Sequence, residues 1–127
     1  GDVLGALYVS DPKYNVDMYV GIGGGPEGVL AASALDAFDC HFQGRFIFDN
    51  NKSIREAKQM GINNLDKKYE LNELVKGDTI FCATGITGGD FLAGIEIKDD
   101  NYTSETFVTH KNSNFKKIIK KTTLINE

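Results

Sequence analysis

One carboxylate stands inside a run of glycines, Gly21-Ile22-Gly23-Gly24-Gly25-Pro26-Glu27-Gly28. The run follows Met18-Tyr19-Val20 and opens into Val29-Leu30-Ala31-Ala32-Ser33-Ala34-Leu35. A glycine turn between a strand and a helix lets the backbone approach an anion, and the first N–H groups of the helix carry partial positive charge. The chemistry on offer is phosphate binding. Glu27 adds an oxygen beside that cradle, suited to Mg²⁺ or Mn²⁺ that bridges to a phosphoryl group. One carboxylate does not fill the shell of such an ion. Asp2, Asp17 and Asp90 lie beside predicted element ends, but their spacing defines no cluster.

Two other readings use the same residues. Gly23 to Gly28 satisfies G-x-G-x-x-G, and Asp49 lies 21 residues beyond Gly28 (49 − 28), about where a dinucleotide fold keeps its ribose-binding acid. Against a Rossmann-like oxidoreductase domain, Pro26 removes an N–H from the turn, and Glu27 sets a negative charge against a diphosphate. The third reading is a non-catalytic domain that keeps a phosphate cradle. On the residues alone, the simplest role of Glu27 is to complement the helix dipole, worth about 0.3–1 kcal/mol. A second glycine loop, Thr84-Gly85-Ile86-Thr87-Gly88-Gly89-Asp90, offers hydroxyls to an anion, although turn-stabilising hydroxyls are the commoner case. His41 and His110 are lone histidines with no role assigned; Arg45 and Arg55 could pair with a phosphate or a partner subunit, although salt-bridged or solvated arginines are the commoner case.

The elements that must hold these residues read as an α/β pattern. Gly1 to Ser10 is helical, ended by Asp11-Pro12. Asp17–Ile22 is a strand expected to be buried on both faces, and Pro26–Phe38 is a helix, apolar nearly all round and therefore buried. A strand at Gln43–Phe48 precedes a helix at Lys52–Met60, capped from Asp49-Asn50-Asn51 and stopped at Gly61. A helical turn at Leu71–Val75, a buried strand at Thr79–Ala83, and strands at Ile95–Lys98, Tyr102–His110 and Phe115–Leu124 complete the chain. The expectation is a mixed β-sheet with flanking helices, in a single domain over residues 1–127.

With 127 residues the chain can bury one core. A net charge of -4 argues against a nucleic-acid partner, and no apolar run reaches about 18 residues, so no membrane partner is expected. Cys40 and Cys82 lack metal-ligand spacing and read as buried free thiols, which points to the cytosol. Lys116, Lys117, Lys120 and Lys121 could form an anion-binding patch, but such lysines more often protect an edge strand or simply face solvent.

Tyr19 to Val29 resembles the Gly-Ile-Gly-Gly-Ala-Pro-Glu-Gly-Val signature of class II fructose-1,6-bisphosphatases. Gly1-Asp2-Val3 is similar to the end of that family's Asp-Gly-Asp-Val element, and Ala83 to Gly94 to its Ala-Thr-Gly-Ile/Val-Thr-x-Gly-Asp-x-Leu-x-Gly segment. Gln43-Gly44-Arg45 and Lys58-Gln59-Met60-Gly61-Ile62 fall in the family's order. The resemblance implies the lithium-sensitive phosphatase fold and hydrolysis of the 1-phosphate of fructose 1,6-bisphosphate in gluconeogenesis, with Mg²⁺ or Mn²⁺. It also implies sedoheptulose 1,7-bisphosphate as a second substrate of some relatives; a homo-oligomer is expected. Glu27 matches a residue that contacts metal and substrate, Gly24 a substrate-contacting backbone position, and Gly1 and Asp2 the sugar-binding element. Gly25 departs from the family's alanine. The family's other metal-ligating carboxylates and its catalytic threonine match nothing from Gly1 onward. The chain is therefore expected to correspond to the C-terminal part of such an enzyme and to be inactive alone, with no catalytic residue of its own.

Overall fold

The computed structural model describes residues 3–125, so Gly1 and Asp2 lie outside the described residues. The helical start is α1 (Val3–Ala6), continued as a 3₁₀ turn at Leu7–Ser10. A further 3₁₀ turn at Pro12–Tyr14 is held by Asp11, whose carboxylate accepts from the Lys13 N–H at 3.0 Å. Next come α2 (Gly25–Asp36), β1 (Gln43–Arg45) and α3 (Asn51–Gln59), then β2 (Lys68–Glu70) and α4 (Leu71–Leu74), then β3 (Ile80–Thr84), β4 (Glu96–Lys98), β5 (Asn101–His110) and β6 (Phe115–Leu124).

The α/β class is borne out. Every strand pairing described is antiparallel. Strand β5 is the spine of the main sheet: β6 pairs along its whole length, β3 pairs with its second half from Thr106 to His110, and β4 with residues 101–103. A separate two-stranded sheet joins β1 to β2. The crossover between parallel strands that a dinucleotide fold requires is not formed among the described residues.

The core lies between the main sheet and α2. Leu7, Ala34, Leu35, Phe81, Leu92 and Phe107 form its buried cluster. Phe107 is central, with Phe91 edge-on at 4.9 Å between ring centroids and Phe38 stacked at 6.2 Å. Such aromatic pairs add to the burial of their area. The Lys111 ammonium reaches Asp36 at 2.8 Å and Asp39 at 3.3 Å, tying the C-terminal end of α2 to the β5–β6 turn. These hydrogen bonds hold the Lys111 pKa above its ordinary value. The same turn is anchored to the approach to β3 by His110, whose ring nitrogens lie 2.7 Å from Ser113 and 2.7 Å from Asp78.

Helix α3 begins and ends as its sequence predicts. The Asn50 side chain accepts from the N–H groups of Lys52 and Ser53, both at 2.9 Å, and Gly61 adopts a φ of +88° just past the last turn.

Four expectations about burial and extent are corrected. Asp17–Ile22 forms no strand, because none of the described strands lies beside it, and its apolar side chains face solvent. Helix α2 is buried only in its second half, at Ala31, Ala32, Ala34 and Leu35; Val29 and Leu30 are exposed, since the sheet covers one end of the helix alone. Strand β3 alternates rather than being buried throughout: Phe81 enters the core while Ile80 and Cys82 face out. The strand expected over Gln43–Phe48 stops at Arg45, where its three-residue partner β2 ends. Both cysteines are free, and burial raises the pKa of the half-buried Cys40 thiol.

Candidate active site

The first glycine loop ends on the N-terminus of α2. Gly24 is the N-cap, with extended dihedrals and no side chain to cap the helix; Gly25 and Pro26 start it, and Glu27 is the acidic residue of the first turn. The Gly28 N–H bonds back to the Gly24 carbonyl at 3.1 Å. The N–H groups of Gly25 and Glu27 enter no described hydrogen bond, and Pro26 has none to give. An α-helix leaves its first donors open in this way, and here they face solvent.

The Glu27 carboxylate folds back over the Gly24 α-carbon. A β-carbon built on Gly24 would collide with the Glu27 side chain, so glycine there leaves room for the carboxylate beside the open amides. Around Gly28 there is open space, and a β-carbon on Gly25 would meet only the Phe46 ring, at an ordinary 3.9 Å. The alanine that the family signature carries at that position fits this backbone. The structure thus sets the Glu27 carboxylate beside Gly24.

The second loop is built differently. A β-carbon on Gly85 would strike the Ala93 carbonyl, and one on Gly94 would stand 2.5 Å from the Gly88 N and 2.8 Å from the Ile86 O. Backbone bonds close the loop, from Gly89 N–H to Leu92 O at 3.0 Å and from Ile95 N–H to Ile86 O at 3.0 Å. Glu105 on β5 pins it twice: its carbonyl accepts from the Gly85 N–H and its carboxylate from the Ala93 N–H, each at 3.0 Å. Thr84 spends its hydroxyl on Thr106 across the strand pair, at 2.8 Å. A cavity of about 330 Å³ lies between this loop and Leu4 and Tyr8. The sequence did not single out Glu105; only the fold sets it opposite the loop.

Neither that cavity nor a second of about 190 Å³, near Lys13, Phe38 and Lys116, borders Glu27. Lys116 lies over the Phe38 ring at 5.1 Å, and Lys120 lies 4.0 Å from Glu105, its partner across the β5–β6 pair. An exposed carboxylate oxygen suits a hard divalent cation, but such ions take about six oxygen ligands. Among the described residues no group of three or more His, Cys, Asp and Glu could hold a metal. Asp17, Asp90 and Glu27 therefore do not gather into such a group. By themselves, then, the described residues do not make a metal site.

No described helix is long and apolar enough to cross a membrane. A family model described as "Bacterial fructose-1,6-bisphosphatase, glpX-encoded" matches residues 1–123. A D-fructose 1,6-bisphosphatase class 2/sedoheptulose 1,7-bisphosphatase of Synechococcus sp. is 36% identical, over 89% of this chain and 36% of its own length. Its namesake in Gloeobacter violaceus is 35% identical over 90% of this chain and 37% of its own. That of Thermosynechococcus vestitus is 37% identical over 75% and 31%. The chain matches about a third of the length of these relatives. With the glycine loop, Glu27 and the Ala83–Gly94 segment all inside the matched stretch, the chain belongs to the bacterial fructose-1,6-bisphosphatase family.

Proposed function

We propose that this chain supplies the sugar-phosphate-binding part of a class II fructose-1,6-bisphosphatase site, a phosphoric monoester hydrolase that removes the 1-phosphate. The observation that carries the reading is the Glu27 carboxylate set over Gly24 beside open helix amides, within a family match over residues 1–123. Open N–H groups at a helix start are donors for phosphate oxygens. Glu27 would offer one oxygen to Mg²⁺ or Mn²⁺, and further ligands would be needed to complete the shell of such an ion. The bound cation would offset the repulsion between Glu27 and the phosphate and polarise the phosphoryl group. Fructose 1,6-bisphosphate is the first substrate to test. Sedoheptulose 1,7-bisphosphate is the second, since the relatives' names carry both. Gly1 and Asp2, outside the described residues, would meet the sugar if the resemblance to the family's Asp-Gly-Asp-Val element holds for function.

The test is a titration of the chain with fructose 1,6-bisphosphate, with and without Mg²⁺ or Mn²⁺, beside an assay for released phosphate. Binding that needs the metal and weakens on Glu27→Ala is expected, with no phosphate released by the chain alone. Release at the rate of a full-length relative would overturn the partial-site reading. Metal-independent binding that ignores Glu27→Ala would favour a bare phosphate cradle.

A further inference from the structure

The second glycine loop borders a cavity that the proposed function leaves unused. About 330 Å³ lies between Leu4 and Tyr8 on one side and Ile86, Thr87, Asp90 and Phe91 on the other. That is the lower end of the range for small-molecule sites, about 300–1,000 Å³. The loop that forms the wall is held from behind. Glu105 binds the Gly85 and Ala93 N–H groups at its two ends, and the Tyr14 hydroxyl donates to the Asp90 carbonyl at 3.3 Å. A wall fixed beforehand lowers the ordering cost of binding.

The lining decides which charge the cavity accepts. Asp90 carries the one charged side chain among the described lining residues, and its carboxylate enters no described hydrogen bond or ion pair. The Thr84 hydroxyl is taken by Thr106, but that of Thr87 has no described partner. A phosphate would meet Asp90 with no basic side chain to offset it, unlike at the open amides of the first loop. A bare divalent ion would find a single carboxylate and gain nothing from the rings. Those rings are Tyr8, stacked on Tyr14 at 4.4 Å between centroids, and Phe91, 6.3 Å from Tyr8. Aromatic faces attract cations, and the Lys13 ammonium already lies 4.7 Å from the Tyr14 ring centre. A carboxylate without a counter-ion, an unengaged hydroxyl and aromatic walls together select a positive charge on an apolar body.

We propose that this cavity binds a small organic ammonium ion. Asp90 balances its charge, the Thr87 hydroxyl oxygen accepts one of its N–H groups, and Tyr8, Ile86 and Phe91 pack against its carbon body. Glu27 does not border the cavity, so the proposal is independent of the substrate and metal assigned above.

Titration of this chain with butylammonium chloride, followed by the amide resonances of residues 86–91, tests it. Saturating shifts confined to the loop and its neighbours are expected, with a Kd of about 1–10 mM. Asp90→Asn should weaken binding about tenfold and Thr87→Val about threefold, whereas Glu56→Gln, on α3 and outside the cavity lining, should leave it unchanged. Butanol, which has the carbon body without the charge, should bind at least tenfold more weakly; this comparison needs no substitution and holds even where Asp90→Asn unfolds the chain. Equal binding of butanol overturns the proposal, as do equal shifts with sodium chloride at the same concentration. An affinity that ignores Asp90→Asn in a folded variant overturns it too. If inorganic phosphate moves these amides and butylammonium does not, the loop is an anion cradle and the proposal fails.

Discussion

The two glycine loops use the same residue for opposite ends. In the loop at residues 21–28 the missing side chains leave open space: nothing stands near Gly28, and only the Glu27 carboxylate approaches Gly24. In the loop at residues 84–94 they let backbone lie on backbone, with Gly85 against Ala93 and Gly94 against Gly88 and Ile86. Both resemble family motifs, yet the second is tied by backbone bonds across the loop and to Glu105, whereas the described bonds of the first are those of its helix start. A glycine-rich motif is thus equally compatible with ligand approach and with self-packing, and the contacts around each glycine separate the two.

Substitutions can sharpen that contrast or break it. The largest effect is expected from Gly94→Ala, whose β-carbon would stand 2.5 Å from the Gly88 N. It should cost about 2–3 kcal/mol in urea denaturation; an unchanged midpoint would mean that the second loop yields easily. Glu105→Ala comes next. It leaves the Ala93 N–H without its acceptor, and a loss of about 1–2 kcal/mol should appear as a lower urea midpoint with the slope retained.

The first loop should respond in the other direction. Gly25→Ala meets only an ordinary contact with Phe46 and restores the family's residue; thermal unfolding should show a gain of up to about 0.5–1 kcal/mol. A loss of more than that would place Gly25 in packing that its surroundings do not display. Smallest for the fold is Glu27→Ala. It removes a favourable charge at the helix start, about 0.3–1 kcal/mol at most, and far-UV circular dichroism should be unchanged. Unfolding on this substitution would make Glu27 structural and remove the case for ligation.

Much of the local structure could be read from residue types. Asn50 announces the start of α3 through its side-chain acceptor, Gly61 its end, and the long alternating runs after Gly94 become the β4, β5 and β6 strands. The pairing of β1 with β2 was not readable, because three residues such as Lys68-Tyr69-Glu70 carry no period that distinguishes strand from turn. The role of Glu105 was hidden for a related reason: it sits mid-strand on β5, and nothing local says that Ala93 lies opposite. Asp17–Ile22 misled in an instructive way. An apolar run signals that something should cover it, but the signal does not say that the cover lies within the same stretch of sequence.

For the candidate site, the sequence alone determined the chemistry on offer: a carboxylate in the first turn of a helix, behind glycines, in an order shared with a phosphatase family. Residue type and short spacing suffice for that, because Gly24, Glu27 and the first helical amides are covalent neighbours. Only the tertiary structure decided which glycine loop stays open and which is filled, since that depends on Ala93 and Glu105 around the second loop and on Phe46, distant in sequence, beside the first. It also decided that Asp17, Asp90 and Glu27 form no group that could hold a metal, because the approach of carboxylates distant in sequence is a property of packing and not of spacing.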